Sequence, residues 1–293
     1  MAGLKEIRTR IASVKTTRQV TSAMKMVSAA KLKKAQDTIL QIRPYADKLH
    51  QILTSLSASL ENVEESVYTQ PSEENKVLII LISSNRGLCG AFNGNISKKA
   101  MELANTKYSK QLKRGNLQFL AIGKQGERLL KHADLYVYGN NNDVFDSLTF
   151  ENVSSIAGEV MNAFTEGTYD CVELVYNQFK NAAMQILTAE KFLPVEIPKE
   201  EEAGNANYDF IYEPSKEYII QELIPRSLKI QFFKALLDSN AAENGARMTA
   251  MHQATDNATD LLNELTLQYN KARQATITNE ILEITGGAEA LKG

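Results

Sequence analysis

Toward the C-terminal end of the chain, seam positions recur in alternating three- and four-residue steps. Ala241, Met248, Met251, Thr255, Ala258, Leu262, Leu265, Tyr269 and Ala272 fall on one line of a helix, the spacing a helix shows when it lies along a partner helix. No proline interrupts residues 246–291, so the stretch reads as a rod on the order of 70 Å at about 1.5 Å per residue. The partner stands at the other end of the chain. With Leu4 at heptad position a, Leu4, Ile11, Leu32, Ile39, Ala46, Leu53 and Leu60 occupy a, and Ile7, Val14, Ala35, Ile42, Leu49 and Leu56 occupy d. A repeat this persistent predicts two terminal helices wound together. In the middle the seam turns polar, with Arg18 and Lys25 at a and Thr21 and Ser28 at d, while Val20, Met24 and Val27 lie beside it. A local roll of the helix onto a new face and a functional polar stretch both fit this pattern. Past Ala272 the apolar stripe changes phase to Ile277, Ile281, Ile284 and Ala288, which predicts that the partner helix ends there and the last turns stand alone.

Between the two helical patterns the period changes. Residues 77–83 and 117–123 are short, continuously apolar runs, as expected of strands covered on both faces. Residues 134–139 suggest a third strand, and the runs around 169–179 and 182–195 a hairpin joined by Lys180 and Asn181 at a sheet edge. Helical patterns at 96–107, 124–132 and 153–164 alternate with these strands, which predicts a mostly parallel, Rossmann-like α/β layer. The expected organisation is a helix over 1–60, an inserted α/β domain over 76–195, a connecting loop over 196–214 and a helical region over 215–293. A polar linker over 61–75 carries Pro71. Pro44 is expected to kink the first helix, and Pro225 to interrupt the last one, leaving a helix from about Arg226.

Composition narrows the classes of function. The net charge is -2 and the pI about 6.0, so the molecule has no bulk attraction to nucleic acid or anionic membrane. Residues 1–36 are nevertheless strongly basic. They lack aromatic side chains for base stacking, and their apolar seam calls first for a helix partner, so protein contact outweighs nucleic acid. No apolar run approaches the roughly 20 residues that span a bilayer. The amphipathic start resembles a transit peptide, but the same phase continues far beyond such a segment. Cys89 and Cys171 are far apart and form no CxxC pair, as in a reducing compartment.

Candidate chemistry is sparse. Gly87, Gly90 and Gly94 follow a strand and precede a helix, and GKQGER begins at Gly123, yet neither has dinucleotide or P-loop spacing. The reading for Arg86, Gly87 and Gly90 is a structural turn. His50, His132 and His252 share no metal-ligand spacing and read as solvated or capping side chains. Cys89 beside Arg86 has the setting for a lowered pKa but no resolving partner. No nucleophile, base and oxyanion arrangement appears. Two alternatives stay open on these grounds: a coiled-coil scaffold or nucleic-acid adaptor, and an enzyme with a degenerate nucleotide fold.

Several blocks carry a family resemblance: LKEIRTRIASVKTTRQVTSAMKMVSAAKLKKAQ at the start, SSNRGLCGAFN after the first strand, YDFIYEPS before the last helix, and ARMTAM, ATDNA and LQYNKARQATITNEILEITGGAEA at the end. Together they resemble, in order and over the whole chain, the gamma subunit of F-type ATP synthases. The resemblance implies a non-catalytic rotor without cofactor or metal. Its terminal helices would form a long antiparallel coiled coil inside a hexamer of alpha and beta subunits, with the α/β domain beside the epsilon subunit and the c-ring. One copy per complex is implied, with no nucleic acid and no membrane insertion of its own. Carried over by position, Arg273 and Gln274 are expected to contact the catalytic beta subunit, as is Lys25. Met24 and Arg247 are expected in the coupling segment, and Tyr208, Tyr212 and Glu213 near the c-ring and epsilon. Lys25 departs from the glutamate or polar residue common there, and Ala242 from a frequent serine. With no leader before Met1, the expected location is the cytoplasmic side of a bacterial inner membrane.

Overall fold

Two long helices carry the ends of the chain. The computed structural model describes residues 3–58, 67–69, 74–133, 135–195, 213 and 216–290. Helix α1 spans Leu4–Ala58 and helix α6 spans Lys216–Ala290. α6 runs unbroken through Pro225, contrary to the expected interruption. A proline removes one backbone donor and crowds the preceding turn, but Ile224 and Leu228 are buried on either side of it. That packing holds the helix across the lost bond. α1 likewise continues through Pro44, with Ile39 and Leu49 buried around it.

The segment between them forms a five-stranded sheet in the order β3-β2-β1-β4-β5. β1 (Val77–Ile82), β2 (Leu117–Ile122), β3 (Val137–Asn140) and β4 (Cys171–Phe179) are parallel. β5 (Gln185–Leu193) closes one edge antiparallel to β4. The turn of that hairpin covers 180–184, longer than the two residues expected, and Asn181 shapes it by accepting from the amides of Ala183 and Met184. Every residue of β1 is buried, as its unbroken apolar run requires when both faces are covered. Val77, Ile79 and Leu81 face a core built with α2 (Phe92–Asn105), α3 (Ser109–Arg114) and α4 (Lys124–His132). α2 presents Phe92, Ile96, Ala100 and Ala104 to it, one residue per turn. The short α3, absent from the sequence pattern, ends at Gly115 in the left-handed conformation. α5 (Phe150–Thr165) starts on Thr149, whose hydroxyl accepts from the Asn152 amide, and Phe150 meets Phe233 of α6 edge-on. Phe232 stacks at a tilt on Phe192 of β5.

The chain divides into two compact units, Met1–Ser28 with Met248–Gly293, and Ala29–Arg247. The division cuts both long helices, so it does not follow the boundaries expected at 60, 76, 196 and 215. In the first unit the helices pair as the heptads require. Ile7 is buried and Leu4, Ile11 and Val14 half-buried, against Met251, Ala258 and Leu265 buried and Thr255, Leu262, Tyr269 and Ala272 half-buried. The expected linker is described only in part, and the connecting loop expected over 196–214 lies outside the described residues except for Glu213.

Candidate functional site

The polar stretch of the first unit stays in the seam. Thr21 and Lys25 are half-buried and Ser28 is buried, whereas Val20 and Val27 remain 52% and 56% exposed. α1 therefore does not roll onto its neighbouring apolar face. The hydroxyls of Thr21 and Thr255 lie 2.8 Å apart across the coil. Lys25 Nζ lies 3.3 Å from His252 Nδ1, and that same nitrogen faces Asp256 Oδ2 at 3.4 Å. His252, read from sequence as solvated or capping, is the cross-coil partner of Lys25; nothing in sequence spacing could pair residues so far apart. Four residues forward on α1 correspond to three back on α6, so the helices run antiparallel. Continued outward, this register sets Leu4 against Ala272.

Beyond Ala272 the seam ends. Every residue of α6 from 273 to 289 is exposed, Arg273 and Gln274 among them. Ile277, Ile281, Leu282 and Ile284 are all open, Ile284 at 71%. The two sequence observations, a phase change in the stripe and the start of α1 at Leu4, describe one geometric event: the partner helix runs out.

In the second unit, the sheet order reverses between β1 and β4, the crevice where folds of this kind bind nucleotides. Here α6 fills it. Ser239 Oγ donates to the Ile82 carbonyl at 3.3 Å. Gly245 lies so close to Ala182 that an added Cβ would stand 3.3 Å from its backbone. Arg247, buried, forks between Glu243 at 2.6 Å and the carbonyls of Arg86 at 2.9 Å and Gly87 at 3.3 Å. The turn at Arg86, Gly87 and Gly90 is thus a receptor for Arg247 as well as a change of direction. Its backbone is special at Gly90 and at Leu88, both with positive φ, and Leu88 is 65% exposed. Ser84, Asn93 and Cys89 pin it from below: Asn93 donates to Cys89 Sγ at 3.2 Å, and Ser84 Oγ donates to the Arg86 carbonyl at 2.7 Å. Burial pushes the Cys89 thiol up, although Ser84 and Arg247 pull the other way. The lowering suggested by Arg86 does not occur. Glu243 is also pushed up by burial, against the attraction of Arg247.

The second glycine segment is closed by the chain's own atoms. The amides of Gly123, Lys124, Gln125 and Gly126 donate to Asn142 Oδ1, Asn85 Oδ1, the Ser84 carbonyl and Ser83 Oγ, all within 3.1 Å. These are the donors a helix start offers to phosphate. With Asn142, Asn85, Ser84 and Ser83 accepting from them, these four amides are not free to hold a phosphate. Met24 is half-buried and its carbonyl accepts from Ser28; it lies in the first unit and Arg247 in the second. Glu213 is an exposed bend, while Tyr208 and Tyr212 lie outside the described residues.

Comparison with known proteins adds an independent line. An ATP synthase family model matches residues 3–291. The chain is 57% identical over 293 residues to the ATP synthase gamma chain of Flavobacterium johnsoniae and 55% identical to that of Christiangramia forsetii, covering the whole of each. Among solved structures, it resembles a chain in the central stalk and c-ring structure of Tetrahymena thermophila mitochondrial ATP synthase at a TM-score of 0.57 and 26% identity, over 80% of this chain and 99% of that one. It shares the fold of a chain in Euglena gracilis mitochondrial ATP synthase at a TM-score of 0.67 and 21% identity, over 98% and 94%.

Proposed function

The chain belongs to the family of ATP synthase gamma chains, and from that premise we propose that it turns: a non-catalytic central-stalk subunit that carries torque from a membrane c-ring to catalytic beta subunits. Ion flow, of protons or sodium, is thereby coupled to ATP synthesis or hydrolysis. The observation that carries this reading is the unpaired end of α6. A lone helix whose side chains are all exposed, with an isoleucine stripe in water, gains nothing from packing. It needs a sheath, and a ring of alpha and beta subunits supplies one.

Within that ring the chain acts by differential contact. A partner can bias a conformational equilibrium only by touching one state better than another, and an asymmetric coil presents a different face to each beta subunit as it turns. Arg273 and Gln274, the first exposed residues past the coil, are our beta-subunit contacts, with Lys25 presented from its rung beside His252. Met24 and Arg247 form the coupling segment. Arg247 serves it by holding the turn that carries Leu88. Glu213, with Tyr208 and Tyr212, is assigned to the c-ring and epsilon. One copy works per complex, without a cofactor and without nucleic acid. Among the described residues no helix is long and apolar enough to cross a membrane; attachment is peripheral, through the c-ring, on the cytoplasmic side of a bacterial inner membrane.

The test is direct. With the alpha–beta ring fixed to a surface and a bead attached to this chain, ATP should drive stepwise rotation of the bead in one direction. A complex that hydrolyses ATP at full rate while the bead stays still would refute the proposal.

A further inference from the structure

At one rung of the coil a single nitrogen faces two partners that make opposite demands on it. His252 Nδ1 lies 3.3 Å from Lys25 Nζ of α1 and 3.4 Å from Asp256 Oδ2, one turn further along α6. The ammonium of Lys25 has hydrogens and no lone pair, so it needs Nδ1 bare, with the ring proton on Nε2. The carboxylate of Asp256 has lone pairs and no hydrogen, so it needs a proton on Nδ1. One atom cannot satisfy both at once. Of the residues three and four positions from His252 on α6 only Asp256 is charged, and none of those three and four positions from Lys25 on α1 is. The contest is therefore between these two groups.

We propose that His252 is a proton-controlled selector: uncharged, it ties Lys25 to the coil; charged, it turns to Asp256 and releases Lys25. An imidazolium carries a hydrogen on both nitrogens. Nδ1 then donates to Asp256, closing an i, i+4 pair within α6, while the ring and the Lys25 ammonium become like charges in contact. Lys25 is half-buried, and its long stem can stay on the helix as its head swings to water. The neighbouring rung, Thr21 with Thr255 at 2.8 Å, carries no charge, so the helices stay paired and the change is confined to Lys25. Histidine is the side chain whose charge ordinarily changes between about pH 5 and 8, which puts the exchange near neutrality. For the assembled complex, where Lys25 is assigned above to a beta-subunit contact, the selector decides whether that ammonium is held in the coil or offered outward. This consequence rests on the rotor reading. The selector itself does not.

The experiment is a pair of double-mutant cycles in the full-length chain, His252→Ala crossed with Lys25→Met and with Asp256→Ala, at about pH 8 and about pH 5. A fluorophore on Val20→Cys, an exposed site on the same stretch of α1, reports separation of the coil in denaturant; both native cysteines are buried and escape the label. At about pH 8 the coupling of His252 to Lys25 should favour the paired coil by about twofold in the unfolding equilibrium constant, an ordinary size for an exposed pair. At about pH 5 it should be unfavourable. The coupling of His252 to Asp256 should be favourable by about twofold at about pH 5 and smaller at about pH 8. A coupling to Lys25 that is absent at both pH values, or of one sign at both, would overturn the proposal, as would a coupling to Asp256 that does not grow on acidification. Should Lys25→Met loosen the coil, the cycle with Asp256 changes exposed side chains alone and decides the matter. A selector that behaves as expected in a chain that does not rotate would refute the rotor and leave the selector standing.

Discussion

At Gly123 and Gly126 the backbone comes close enough to Ser83 that a single methyl group matters. A Cβ on Gly123 would stand 2.5 Å from the Ser83 carbonyl oxygen, at a φ of +109. On Gly126 it would meet Ser83 Oγ at 2.6 Å and Leu81 at 2.9 Å. Gly126→Ala should therefore lower stability by about 1–3 kcal/mol, as overpacking does. Gly123→Ala, which adds backbone strain to a clash with backbone, should cost more; denaturant titration of the full chain measures both. Asp238 sets a pH dependence of opposite sense to an ordinary salt-bridged carboxylate. Its folded pKa, about 6, stands above the roughly 3.9 of an unfolded aspartate, so the folded state holds the proton more tightly. The associated stability is complete below the unfolded value and is lost as pH rises through about 6, by at most about 3 kcal/mol. Asp238→Asn should flatten the stability profile between pH 4 and 7, roughly the interval the two pKa values define.

Elements respond differently according to whether their side chains are paired. In the coil, the hydroxyls of Thr21 and Thr255 meet across the seam, and each also has a carbonyl of its own helix within reach, Arg18 for Thr21 and Met251 for Thr255, so removing one hydroxyl leaves the other with a partner. Single Thr→Val changes should each cost less than about 1 kcal/mol, with the double change showing a coupling from the lost cross-coil bond. A thermodynamic cycle that closes additively would show the hydroxyls to be independent. The end of α6 is the contrary case. Ile277, Ile281 and Ile284 are exposed, so changing all three to Ser should move the stability of the isolated chain by less than about 1 kcal/mol. On the proposed function, the same variant should lose rotation in the assembled complex, because the stripe would be covered there by the surrounding ring. A large loss of stability in the isolated chain would place these residues in a contact of its own.

For the whole molecule, the two functions of α6 separate along its length: residues 216–247 belong to the second compact unit and 248–290 to the first. Truncation after Leu267 removes the exposed run and the last seam residues while leaving the α/β layer intact. Assembly should survive with torque reduced, measured as ATP-driven ion pumping per ATP hydrolysed. Loss of assembly itself would mean that the exposed run is an anchor.

Much of this was legible in the chain by itself, because helix seams and two-face-buried strands are local periodicities. The heptads of α1, the seam from Met251 to Ala272, the phase change after it, the strands and the edge hairpin all follow from which residues repeat at 3.5 or run unbroken. Pro225 does not interrupt α6 because the burial of Ile224 and Leu228 around it outweighs the propensity of one residue. Contacts between distant positions are a separate matter. That Lys25 reaches His252, that Arg247 grips the Arg86 turn, and that Ser83 accepts from the Gly126 amide of α4 depend on distances between segments scores of residues apart, which no spacing encodes. The sequence by itself determined the long terminal helices and the buried strands, since each one's period is written within it, while the short α3 carries no such period. Only the tertiary structure decided that a nucleotide-type crevice is filled by the chain's own helix, because that outcome is set by which elements meet in space.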